Sequence, residues 1–199
     1  MTRLPRRAVL GLAALLGAAG LWQVGAGLYI PAKAVLAQLL LERAWARTLD
    51  GDPDARPWPW ADTRPVARLE VARLGIDMIV QEGASGRVMA FGPGRMAGSA
   101  AIGDWGVAVL AAHRDTHFSF LRHLVPGDRF TLQTPDGHVR AYRVAGGEVA
   151  DHRDVRIRAA ARGTTIALVT CYPFDAIVPG GPLRYVVLAV EEEEGTAEA

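Results

Sequence analysis

The chain has 199 residues, half of them hydrophobic, and its 22 Lys and Arg residues nearly balance 21 Asp and Glu. This composition excludes a disordered tail and a basic nucleic-acid-binding protein, so we expect no nucleic-acid partner. The length suits one domain with its own core plus an appendage, and a single cysteine, Cys171, excludes an internal disulfide framework.

Residues 1–30 predict a cytoplasmic stub and a transmembrane anchor. The run AVLGLAALLGAAGLWQVGAGLYI, residues 8–30, contains no charge. At about 1.5 Å per residue, a helix of this length crosses a hydrocarbon core of roughly 30 Å. A cleaved signal peptide is the alternative, because AKA at 32–34 resembles a cleavage site. Arginines before the run favour a cytoplasmic N-terminus, which predicts a single-pass inner-membrane protein with residues 31–199 on the periplasmic side.

Residues 31–63 read as a juxtamembrane helix followed by a connector. The stretch PAKAVLAQLLLERAWART has apolar residues at helical spacing, and Pro31 suits the first turn of a helix. The Pro-rich stretch DGDPDARPWPWADTRP that follows predicts an extended segment, since proline disfavours helix at itself and at the residue before it.

Residues 64–191 predict an all-β domain, either a barrel or a sandwich, with short helices. The strand-like runs are VARLEVARLGIDMIV, GVAVLAAH, RFTLQT, HVRAYRV, TTIALVTCY and LRYVVLAV, with a hairpin turn at PDG. The stretch DTHFSFLRHL is long enough for a short helix, and the acidic tail, 192–199, is expected to be disordered.

Two apolar strands each end in a reactive side chain. VAVLAAH ends at His113 and TIALVTC ends at Cys171. If these strands are parallel neighbours, both side chains emerge at the same rim, where an imidazole can exchange a proton with a thiol nucleophile. Arg184 follows a Pro/Gly-rich turn, and a fixed guanidinium there would stabilise the oxyanion of an acyl-transfer intermediate.

Other polar residues suggest weaker roles. Asp115 is either a third member of a catalytic triad, orienting His113, or the cap of the helix that follows. His113 and His117 have the spacing of a zinc pair on a helix, but His113 ends a strand, so we expect no metal and no cofactor.

The motifs AAHRDTHF, TIALVTCYPF and GPLRY resemble those of the sortases, membrane-anchored cysteine transpeptidases. The family's T-L-x-T-C strand end matches at residues 168–171 and departs from the pattern at Ala167. WPWADTRPVARL and TCYPFDAIVPGGPLRY look most like the proteobacterial class GN branch, with class D next.

The resemblance implies a closed eight-stranded sortase-type β-barrel. Cys171 would cleave the LPxTG-like C-terminal sorting signal of an exported, membrane-tethered protein through a thioester, and an amine acceptor would resolve it. His113 would transfer protons and Arg184 would hold the oxyanion or the signal backbone. Thr170 would bind substrate.

Two alternatives stay open. The chain is either a cysteine protease that only hydrolyses, or a non-catalytic membrane-anchored β-barrel that binds a partner and buries Cys171 in its core.

Overall fold

The structure, a computed structural model, describes residues 6–154, 157, 163–178 and 180–192. The chain divides into two compact units, Met1–Leu39 and Leu40–Ala199. One 44-residue helix, α1 (Arg6–Leu49), begins in the first unit and ends in the second. The predicted tail falls mostly on residues 193–199, which lie outside the described residues.

The transmembrane anchor predicted for residues 1–30 is not found in the part of the chain that the structure describes. Among the described residues, no helix combines the length and the apolar character needed to cross a membrane.

The helix predicted over residues 31–48 does not begin at Pro31, because α1 passes through this residue and joins it to the preceding segment. The Ala- and Leu-rich segments on both sides are strong helix formers and continue across it. In the second unit, Leu41 and Trp45 are buried against Ile79 and Phe91, which fixes the end of α1 on that unit.

The predicted all-β barrel is confirmed. In the described part of the chain, eight strands form a closed barrel in the order β1-β2-β3-β4-β7-β8-β6-β5. The strands are β1 (Pro65–Val71), β2 (Ile76–Glu82), β3 (Gly94–Arg95), β4 (Gly106–Ala111), β5 (Arg129–Gln133), β6 (Val139–Asp151), β7 (Thr164–Cys171) and β8 (Leu183–Glu191).

The barrel is mixed rather than wholly antiparallel. β4 and β7 are parallel neighbours, as are β2 and β3, and the other pairs run antiparallel. The predicted hairpin at PDG joins β5 to β6, with Gln133 opposite Val139. The short helices are α2 (Gly86–Met89) and two 3-10 turns, Ala72–Leu74 and Ser119–His123.

Alternating residues of the strands fill the barrel interior, as the two-residue period of a strand requires. The core includes Leu69, Val80, Ala108, Leu110, Phe130, Leu132, Tyr142, Ile166, Leu168, Val187 and Ala189, all almost completely buried. This packing fixes which residues of β4, β7 and β8 face outward, and the candidate site lies on that outward face.

Candidate active site

The ends of three adjacent strands carry the three residues singled out in the sequence. Cys171, the last residue of β7, lies directly opposite Arg184 in the β7–β8 ladder. The last pair in the parallel β4–β7 ladder is Ala111 with Val169, and His113 and Cys171 each lie two residues beyond this pair in their own segments. Neighbouring strands are about 4.8 Å apart, which brings the three side chains to one rim.

The three side chains also share one face of the sheet. In β7 the core residues are Ile166 and Leu168, so Cys171 has the opposite, outward phase. The same alternation puts His113 outward from the core residues of β4, and Arg184 outward from those of β8. We call His113, Cys171 and Arg184 the outer row.

Cys171 is a free, half-buried thiol. The neighbouring residue, Thr170, is buried. Its Oγ1 donates a hydrogen bond to the carbonyl of Ala112 at 2.8 Å. The Thr170 hydroxyl therefore points toward β4. This bond joins β7 to β4 one residue before the outer row.

Arg184 is half-buried, and its guanidinium turns back toward the preceding turn. Its Nη1 donates to the carbonyls of Gly181 at 2.7 Å and Leu183 at 2.8 Å. The pKa of Asp151 is lowered chiefly because Arg153 donates to its carboxylate, with Arg184 adding a smaller attraction. The guanidinium of Arg184 thus lies near the carboxylate of Asp151, on the side of Cys171 away from His113.

A second imidazole, that of His117, lies near His113. The side chain of His113 is exposed. The pKa of His117 is lowered, first by burial and then by the charge of His113. Thr116 Oγ1 lies 3.3 Å from Nδ1 of His117. Sequence reasoning weighed His117 only as a metal ligand, and its electrostatic link to His113 was missed.

Asp115 has neither of its predicted roles. Its carboxylate accepts from Nε of Arg114 at 3.2 Å, and the 3-10 turn that follows starts after Phe118 without a side-chain cap. Asp115 is thus an exposed partner of a neighbouring arginine.

Three aromatic rings form a cluster beside the β7–β8 loop. Tyr172, Phe174 and Tyr185 contact one another with ring centroids 5.3 to 6.3 Å apart. Such aromatic contacts give the start of the β7–β8 loop a packed base. Sequence analysis did not identify this cluster, because its members come from two separate segments.

No group of three or more His, Cys, Asp or Glu side chains suited to a metal ion occurs among the described residues.

Comparison with solved structures identifies the fold. The chain is similar to the sortase D5 transpeptidase of Clostridium perfringens, with 21% identity, a TM-score of 0.57, and coverage of 76% of this chain and 88% of that one. Sortase A of Corynebacterium diphtheriae gives 18% identity and a TM-score of 0.61, covering 81% and 86%. Sortase C of Clostridium perfringens was solved with the C-terminal cell wall sorting motif. It has 19% identity and a TM-score of 0.57, and the match covers 81% of this chain and 90% of that one.

These identities show a shared fold and do not by themselves transfer an activity. No curated protein matches the chain. The family model described as the sortase domain matches residues 69–192, more than half of the chain, and spans the whole outer row. The chain therefore belongs to the sortase family.

Proposed function

We propose that this protein is a cysteine transpeptidase that cleaves an LPxTG-like sorting signal and transfers the cleaved protein to an amine. The observation that carries the proposal is the outer row: a reachable thiol between an imidazole and a guanidinium on adjacent strands of a sortase barrel.

In the first half-reaction, the thiolate of Cys171 attacks the carbonyl carbon of the Thr–Gly peptide bond. A C–S bond forms, and negative charge develops on the former carbonyl oxygen, where Arg184 is the adjacent cation. The C–N bond then breaks, and the imidazolium of His113 gives its proton to the departing glycine amine. The product is a thioester on Cys171.

In the second half-reaction, the acceptor amine attacks the thioester carbonyl. A new C–N bond forms, the C–S bond breaks and the thiolate leaves. His113, now neutral, takes the proton that the attacking amine loses. The cycle ends with thiolate and imidazolium restored, so no external oxidant or reductant is needed.

For Arg184 to act on substrate, its guanidinium must have free donors. Its hydrogen bonds to the carbonyls of Gly181 and Leu183 both use Nη1. Arginine carries five N–H donors, so Nη2 and Nε retain capacity for a carbonyl oxygen of the substrate. The bonds to Gly181 and Leu183 would then hold the side chain in place rather than compete with the substrate.

The sheet beside the outer row supports an apolar peptide as substrate. The next row contains Ala111 and Val169, which are half-buried, and Val186, which is fully buried; the half-buried Val109 and Leu188 follow beyond it. Fully burying one leucine-sized side chain contributes about 1.5–3 kcal/mol, which suits short-peptide recognition. We propose that the apolar residues of the signal pack on this strip while its threonine carbonyl reaches Cys171.

The finer assignments belong to the same proposal. We place the chain in the class GN branch, as the motifs around Cys171 predict, and assign it an exported substrate with a C-terminal sorting motif. The homologous sortase C solved with such a motif supports this kind of partner. Residues 31–199 would then work outside the cytoplasm, and a C-terminal reporter active only in the cytoplasm should be silent.

The function is tested with the purified protein, an LPxTG peptide and an added primary amine. A transpeptidase yields the amine-ligated product, whereas a protease yields only the free acid at every amine concentration. A non-catalytic module yields neither product. The variant Cys171→Ala should lose both products, and turnover that survives this substitution would refute the proposal.

A further inference from the structure

A buried arginine connects the segments that carry the thiol and the imidazole. Arg114 directly follows His113, yet its side chain is only 7% exposed. Its Nη1 donates to the carbonyl of Pro173 and its Nη2 to that of Ala176, both at 2.8 Å. Both carbonyls belong to the β7–β8 loop that begins after Cys171.

Burial of a guanidinium is costly unless its donors are satisfied. Here the fork of Arg114 meets two backbone carbonyls, and its Nε meets the carboxylate of Asp115 at 3.2 Å. Hydrogen bonds that involve a charged group are stronger than those between neutral groups. The side chain is therefore held in one geometry, and it in turn holds the loop.

This contact lies where the strand ladder can no longer hold the two segments. The β4–β7 pairing ends at Ala111 and Val169, and a last long backbone bond runs from Ala112 to Val169 at 3.3 Å. His113 and Cys171 lie beyond it. From there on, Thr170 and Arg114 tie the segments through side-chain bonds.

A second arginine contacts the same loop from outside. Arg122 is exposed, its Nη2 reaches the carbonyl of Phe174 at 3.4 Å, and its guanidinium lies 4.8 Å from the ring centroid of Phe174. It has the same charge and the same target loop as Arg114, but it is neither buried nor next to His113. Arg122 is therefore the matched control.

We propose that Arg114 is a positioning residue that sets the separation and orientation of His113 relative to Cys171 by fixing the β7–β8 loop to the His113 segment. The inference rests on the proposed function. Arg114 does not touch the reacting atoms, because its fork is buried and bound to carbonyls. A misplacement of about 1 Å in such a site costs on the order of 10²-fold in rate.

The test compares Arg114→Lys and Arg114→Gln with Arg122→Gln. Lysine keeps the charge but lacks the fork, and glutamine removes the charge, so the two variants guard against a folding failure of either one. Thermal melts check that each variant is folded. The readouts are the rate of acylation by an LPxTG peptide and the rate of Cys171 alkylation by iodoacetamide between pH 5 and 9.

We expect both Arg114 variants to acylate on the order of 10²-fold more slowly, with Arg122→Gln within about threefold of wild type. A merely structural role would lower the melting temperature without changing how alkylation depends on His113. If Arg114 positions His113, the effects of substituting the two residues are not additive. His113→Ala should then slow alkylation strongly in the wild-type background and only slightly in the Arg114→Lys background.

Additive effects of Arg114→Lys and His113→Ala, or wild-type acylation by folded Arg114 variants, would overturn the inference. The alkylation arm needs no substrate, so it decides the role of Arg114 independently. Failure of the wild-type protein to form any acyl-enzyme would instead refute the proposed function.

Discussion

Cys171 lies directly opposite Arg184 in the antiparallel β7–β8 ladder, and His113 follows the end of β4, the parallel neighbour on the other side of β7. The thiol is thus flanked by the group proposed to move protons and by the cation proposed to receive developing charge. The two flanking groups come from different strands and have different proposed roles. We therefore expect substitutions of Arg184 and of His113 to change different properties of the reaction.

Substitution of Arg184 should slow acylation without preventing it. Loss of one oxyanion donor typically costs about 10²–10³-fold in rate. We therefore expect the acylation rate of Arg184→Ala to fall by this factor, and the rate of Arg184→Lys to lie between that of Arg184→Ala and that of wild type. Intact-mass spectrometry after single-turnover mixing with peptide measures the rate. Arg153, an exposed arginine bound to Asp151, is the control, and Arg153→Ala should behave as wild type. Equal rates for Arg184→Ala and wild type would contradict the assignment.

Loss of the imidazole should affect both the thiol and the leaving group. We expect His113→Ala to slow acylation by about 10²–10⁴-fold, because proton transfer by a positioned side chain contributes that much. Alkylation of Cys171 should also require a more alkaline solution. The exposed His123 serves as control, and its alanine variant should keep the wild-type pH profile. An unchanged profile in His113→Ala would remove His113 from the mechanism.

Variants of Thr170 distinguish two possible roles of its hydroxyl: binding the substrate, or holding β7 in place through its hydrogen bond. Valine matches the shape of threonine but cannot donate to the buried carbonyl of Ala112, so Thr170→Val should lose about 1–3 kcal/mol in urea unfolding. Thr170→Ser retains a hydroxyl and should lose less. If Thr170→Val instead keeps its stability and only raises KM for the peptide, the hydroxyl binds substrate, as the family resemblance predicts.

The lowered pKa of His117 makes stability depend on pH in a defined direction. Because the folded pKa is below the usual 6.5, the unfolded chain binds the proton more readily, and stability falls as pH drops through 6.5 toward the folded value. The denaturation midpoint of wild type should therefore decline more steeply than that of His117→Gln between pH 7.5 and 5.5. Parallel curves for the two proteins would show that His117 does not contribute.

Strand ends could be predicted from sequence because the apolar runs before His113 and Cys171 stop at a reactive residue. Their parallel pairing was stated as a condition, and the structure confirms it. Strand periodicity also predicted the hairpin between β5 and β6, since a PDG turn between alternating runs fixes the pairing.

Features that depend on long-range contacts could not be predicted. Arg114 follows His113 in a polar stretch, and nothing in that stretch indicates burial, because its partners are backbone carbonyls 59 and 62 residues away. β3 has two residues, too few to show a period. Pro31 indicated a helix start by a local rule, which the strong helix formers around it override.

The most direct test of the account is the mass of the protein after incubation with an LPxTG peptide and rapid acid quench. The account predicts an increase equal to the acyl fragment ending at threonine. This mass should map to the peptide containing Cys171, be removed by hydroxylamine and be absent in Cys171→Ala. A wild-type protein that cleaves the peptide while its Cys171 stays unmodified, or an adduct that persists in Cys171→Ala, would contradict the central claim.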